Sequence, residues 1–223
     1  MVPDPASAPR PLVVQTGTDD EGTGTRVPKL VDHEAKRREI LEVTWRLMAT
    51  RGADAATMRE IAREAGYANG ALAHYFANKE ALIEAAFTYV FDRTNDRIRE
   101  ATEGLHGLAA LRAFLVEVLP TTEVTRLEAR IVLPFWSRTV AEQRFAELND
   151  AAMQQWRREL GDLLRQGRED GDVTVTTPDD VLVEQLLAMA MGLQVLATTH
   201  GTPTPAATQL AMLDAYLAGL SAR

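Results

Sequence analysis

Residues 57–76 read TMREIAREAGYANGALAHYF. Thr57 followed three positions later by Glu60 is a capping box, in which each side chain satisfies a backbone N–H at the start of a helix. From there Met58, Ile61, Ala62 and Ala65 fall on helical spacing, and the run stops at Gly66, which takes the positive φ of a tight interhelical turn without strain. A further short helix is expected over Asn69–Phe76. Ala62 is small where that helix must cross closely, and Ile61, Ala65, Tyr67, Leu72 and Tyr75 supply apolar contacts for the pair. The pattern specifies a helix-turn-helix. On these residues alone, an ordinary αα corner is the alternative.

Working outward, the chain is helical on both sides. Upstream, from Asp32, residues Ile40, Leu41, Thr44, Leu47 and Met48 share one face, and Arg51-Gly52 closes that helix with a left-handed glycine cap. Downstream, Asn78 caps a helix whose apolar line is Ile83, Phe87, Val90, Phe91 and Ile98. Further helices are expected at 107–119, 122–139, 141–169, 178–199 and 205–221. Thr177-Pro178-Asp179-Asp180 offers an N-cap, a first-turn proline and acids near the positive helix end; Thr204-Pro205 repeats that start. Pro134 is expected to kink or break its helix. Val173–Thr176 alternates, but four residues between helices read as a turn. Residues 1–30 hold five of the ten prolines and show no helical period, so a disordered tail is expected there, with a DNA-contacting arm as the alternative. The fold class is all-α, divided into a tail (1–30), a helix-turn-helix domain (31–80) and a helical domain (81–223).

The 24 basic and 32 acidic residues give a formal charge of −8, which taken whole argues against nucleic acid. The charge is not spread evenly. Residues 1–25 carry −3 and residues 81–223 carry −7, whereas residues 26–80, around the helix-turn-helix, carry +2. Cysteine is absent, which removes disulfides and thiolate chemistry and fits a reducing compartment. The N-terminal residues show no basic-then-apolar signal pattern, so no signal segment is expected there. The apolar run Val181–Ala197 is interrupted by Glu184, Gln185 and Gln194, so it reads as a buried helix and not a membrane span. No membrane partner and a cytoplasmic location are expected.

The segment Ala56–Leu82 closely resembles the DNA-binding domain of the TetR family of bacterial transcriptional regulators. The likeness rests on the Thr57 cap, Ile61-Ala62, Ala65-Gly66, Gly70, Leu72, Tyr75-Phe76 and Lys79-Glu80. It implies that the third helix enters the major groove of double-stranded DNA. The DNA-binding set is then Thr57, Tyr67, Asn69, Gly70, Ala71, His74, Tyr75 and Lys79. Thr57 and Lys79 would meet phosphates, Tyr75 either a phosphate or the core, Asn69 an adenine, and His74 a base edge or a phosphate. Ala68 stands where the family usually has Ser or Thr, and Ala73 where it often has tyrosine, so specificity is expected to lean on backbone contacts and DNA shape. Lys36-Arg37-Arg38 reads as a solvated face, with a phosphate-facing patch as the alternative.

Residues 107–223 resemble, more weakly, the C-terminal domain of the BetI-type branch. The matching segments are RIVLPFWSRTV (130–140), Trp156-Arg157-Arg158 through GREDGDV (167–173), and Pro178-Asp179 with Met191-Gly192-Leu193. Met191 departs from the aspartate common there. The resemblance implies a small-molecule effector pocket and a dimer interface. Phe114, Phe135, Trp136, Met153, Trp156 and Met189 are the candidate pocket liners, each with core packing as the favoured alternative. The 178–199 helix is apolar almost all round, more than a surface helix needs. With the 205–221 helix it is expected to form a homodimer interface from Leu186, Met189, Leu193, Leu196, Leu210, Leu213 and Leu217, with an ordinary monomer core as the alternative. Effector binding would then shift the dimer away from the spacing that fits a palindromic operator.

An enzyme is not expected. His33, His74, His106 and His200 are scattered without metal spacing, and no nucleophile elbow or phosphate loop occurs. Glu123 and Glu128 lie on different helix faces without histidine partners. No cofactor or metal is expected. An activator or protein-interaction module on the same fold is the other alternative, supported by the few polar groups on the third helix.

Overall fold

The computed structural model describes residues 27–52, 56–68, 70–199 and 201–221, and among them it is helical throughout, with no strand. The order is α1 (Val27–Arg51), α2 (Met58–Glu64), a 3-10 turn (Ala71–His74), α3 (Lys79–Thr102), α4 (Gly107–Val118), α5 (Glu123–Thr139), α6 (Gln143–Glu169), α7 (Asp179–Thr198) and α8 (Ala206–Leu220). Helices α1 and α2, the 3-10 turn and the start of α3 make a small head. Helices α4 to α8 and the rest of α3 make the body. Because α3 runs unbroken from Lys79 to Thr102, it belongs to both. A helix of that length spans roughly 36 Å, enough to join the two parts as one rod.

Local chemistry explains the head's boundaries. Thr57 accepts from the Glu60 amide at 3.2 Å, and Asn78 accepts from the Ala81 amide at 2.8 Å. Both expected N-cap side chains thus accept a backbone amide, but the capping box expected at Thr57 is only half made. The Glu60 carboxylate pairs with Arg51 and Arg63. Gly66 sits at φ 76 and Gly52 at φ 87 (both in degrees). These are the left-handed turns the sequence requires. The segment expected as a helix over Asn69–Phe76 is instead a 3-10 turn of four residues, entered through Gly70 in the left-handed region with no side-chain cap. A stretch this short, without a hydroxyl at Ala68, closes i→i+3 bonds more readily than it nucleates α-helix.

Other expectations are adjusted. Val27–Leu30 are already helical, and residues 1–26 of the expected tail lie outside the described residues. Thr177 and Thr204 do not cap: Pro178 and Pro205 occupy those positions, and the threonine carbonyls accept from Arg168 and Gln209. Pro134 does not break α5, which runs through it. Val173–Thr176 is no strand; Thr174 and Val175 donate their amides to the Leu220 carbonyl.

One apolar core runs from Ile40 in the head to Leu220 in α8. Helix α7 is long and apolar enough to cross a membrane by length and composition. Its Leu182, Val183, Leu186, Leu187, Ala190 and Leu193 are instead buried in this core.

Candidate nucleic-acid interface and effector cavity

The head presents a compact set of groups to solvent. Thr57, Gly70 and His74 are exposed and Lys79 half-buried, at the N-cap of α2, on the 3-10 turn and at the first residue of α3. Thr57, Arg59, Glu60 and Arg63 line one surface hollow. Tyr67 and Tyr75 are half-buried and meet edge to face at 6.0 Å, and Tyr75 also packs on His33. Ala71 is half-buried, and Asn69 lies outside the described residues. Arg37, assigned with its neighbours to a solvated face, is tied down instead. It donates to the Tyr75 carbonyl at 3.1 Å and lies 4.6 Å over the Phe76 ring. The bond and the cation–π contact fix the end of the 3-10 turn to α1. A sequence separation of 38 residues hides that bond from any local pattern.

In the body, α3, α4, α5, α6 and α7 line a cavity of about 30 Å³. Three of the six expected liners face it: Trp136, Met153 and Trp156. Phe135 stacks on Phe87 at 3.6 Å behind the wall, and Phe114 meets Trp156 edge-on at 5.8 Å. Both are almost fully buried core residues, while Met189 packs on the core elsewhere. Phe87, Phe91, Trp136 and Trp156 give the cavity aromatic walls, and Glu117 and Glu128 give it charge.

Behind the wall, Arg97 donates two bonds to Glu128 (2.9 and 2.7 Å) and one to Glu117 (3.0 Å). Burial pulls the Arg97 guanidinium down, but the bonds to Glu128 and Glu117 outweigh it and hold its pKa above the usual value. Two buried polar atoms on the cavity wall, Trp136 Nε1 and Gln194 Oε1, have no hydrogen-bond partner among the described residues.

Sequence profiles now place these two halves. The profile described as bacterial regulatory proteins of the tetR family matches residues 40–86, and that of the BetI-type transcriptional repressor C-terminal domain matches residues 107–222. The chain belongs to the TetR family of transcriptional regulators. It is 38% identical over 110 residues to the HTH-type transcriptional regulator PksA of Bacillus subtilis, across 49% of this chain and 54% of that protein. The alignment thus spans about half the length of this relative. The HTH-type transcriptional repressor KstR2 of Mycobacterium tuberculosis is 30% identical over 138 residues, covering 61% and 68% of the two chains. A putative transcriptional regulator from Saccharomonospora viridis, solved in complex with choline, shares the fold. Its TM-score is 0.76 at 24% identity, covering 82% of this chain and 96% of that one.

In this TetR-family regulator, the residues expected at the dimer interface divide by their burial within the protomer. Leu186, Leu193, Leu213 and Leu217 are buried within the protomer, so they hold the body's own core together. Leu210 and Met189 are half-buried, and of the expected set Leu196 is exposed, at 53%. The outward face of α7 carries Val181, Gln185, Ala188, Gly192 and Leu196, and that of α8 carries Ala211, Met212, Ala215 and Gly219. Leucines dominate the inward faces, and the outward ones are rich in alanine and glycine, which lets a neighbouring helix approach closely. An all-round apolar sequence carries no phase from which to read this.

Proposed function

We propose that this TetR-family regulator is a homodimeric repressor of the cytoplasm. Its two 3-10 turns enter successive major grooves of a palindromic operator, and an effector in the body cavity releases it. The observation that carries the reading is continuity: α3 begins at Lys79, beside the exposed face of the head, and its Phe87, Val90, Phe91 and Thr94 wall the cavity. A cavity of about 30 Å³ has little room beyond a water or two, so an organic effector enters only by moving α3 or α5. That movement changes the spacing of the two heads.

Aromatic walls, with Glu117 and Glu128 in the lining, suit an organic cation. The choline found in the Saccharomonospora viridis protein supports that class as the first to test. The outward faces of α7 and α8 are the dimer surface in this reading. The chain performs no catalysis and needs no cofactor or metal.

The test is fluorescence anisotropy with DNA covering the protein's own upstream region, against scrambled DNA of equal length, with and without choline. Selective binding by a dimer is expected, with release at millimolar choline. Equal binding to both DNAs, or none, contradicts the repressor reading. Selective binding that choline leaves unchanged contradicts the effector class alone.

A further inference from the structure

Taking the cavity as the effector site, we infer that Arg130 is the residue through which the state of the cavity reaches the start of the helix-turn-helix. Helix α5 is a wall with two sides. Ala129, Val132 and Trp136 face the cavity, whereas Arg130, Leu133 and Pro134 face a crevice closed by the end of α1, Met48 to Gly52. Adjacent residues of one helix therefore touch the effector space and the head.

Arg130 Nη1 donates to the Ala49 carbonyl at 2.8 Å, across 81 residues of sequence. Ala49 lies in the last turn of α1, where carbonyls lack intrahelical donors and the helix end favours a cation. The Met48 carbonyl is already taken by the Gly52 amide. Beyond that glycine the chain is buried again at Ala56, and Thr57 then caps α2. Arg130 thus fixes the point from which the chain enters the DNA-binding motif.

Helix α5 also lacks one backbone bond at this contact. Pro134 has no N–H, so the Arg130 carbonyl lacks its i+4 helical donor. A push on Ala129 or Val132 from inside the cavity meets a helix with one rung missing beside its tie to the head. The tie displaces with it, and the guanidinium leaves or drags the end of α1. A second, weaker link from the same helix, Arg138 to Glu80 at 3.8 Å, reaches the start of α3.

Hydrogen exchange on the intact full chain, without DNA or effector, tests this independently of the repressor reading. Ala129→Leu fills the cavity from α5 in place of a ligand, and Arg130→Met removes the tie while keeping length and helix propensity. Ala129→Leu is expected to speed exchange in residues 46–66 at least about threefold. Arg130→Met alone is expected to raise exchange there too, and adding Ala129→Leu to it should change little further. If Ala129→Leu does not fold, Val132→Phe runs the same cycle from the next cavity-facing position. An unchanged rate at 46–66 in either single variant overturns the inference. So does an equal effect of cavity filling with and without Arg130, or a rise shared equally by α4 and α6.

Discussion

Arg97 holds Glu117 and Glu128 with three hydrogen bonds, and Glu128 is only 5% exposed. Removing one partner of such a buried pair leaves uncompensated charge, which costs more than the pair contributes. Arg97→Met is expected to lower stability by about 3 kcal/mol, read by urea denaturation. Replacing all three by apolar residues should cost far less. Thr57 works at the surface instead, where its side chain accepts from the Glu60 amide. Thr57→Ala loses that bond, about 1 kcal/mol of local order, and weakens binding to every DNA sequence equally. A titration against specific and scrambled DNA checks this: a loss confined to one of them would contradict a phosphate role. Asn78 and Gly66 were equally legible from sequence, because caps and positive-φ turns are chemistry of adjacent residues. The Arg97 triad was not, since its members lie 20 and 31 residues from Arg97.

Helices show the same division between what is local and what is not. The existence of α4 to α8 follows from periodicity, but the phase of α7 does not, because nearly every position along it is apolar. Only packing against α5 and α6 decides that Leu186 and Leu193 face inward. The joints between helices are equally invisible in sequence. Gly107 opens α4 in the left-handed region, and a Cβ there would stand 2.9 Å from the Asp170 carboxylate and 3.2 Å from the Gly167 backbone. Gly107→Ala is therefore expected to destabilise by about 1–3 kcal/mol, visible as a lower Tm. Ion pairs clamp other joints. Hydrogen bonds from Arg112 to Asp214 and from Arg157 to Glu184 hold both carboxyls below their usual pKa. Groups that ionise more easily folded than unfolded stabilise fully above the ordinary carboxylate range, and that stability is lost as pH falls through the depressed values. Asp214→Asn should thus lower Tm slightly at neutral pH and converge with the parent in acid; parallel curves would contradict the assignment.

At the scale of the molecule, the acidic body and the mildly basic head divide the labour that the net charge of −8 conceals. Repulsion by the body leaves only a small docking face, and in the proposed reading a dimer doubles it. Ala188→Glu and Ala215→Glu place charge on the outward faces of α7 and α8, and are expected to give folded monomers by sedimentation. Leu213→Glu, on the buried side, should unfold the body instead. The central claim, that paired heads dock on DNA phosphates from an otherwise acidic protein, meets its most direct test in a salt titration. Affinity of the full-length protein for its upstream DNA is measured from low to moderate salt, with stoichiometry read in parallel. Two protomers per site and a fall of log K against log salt with a slope of roughly −4 or steeper are expected. A single protomer bound, or an affinity indifferent to salt, would contradict it.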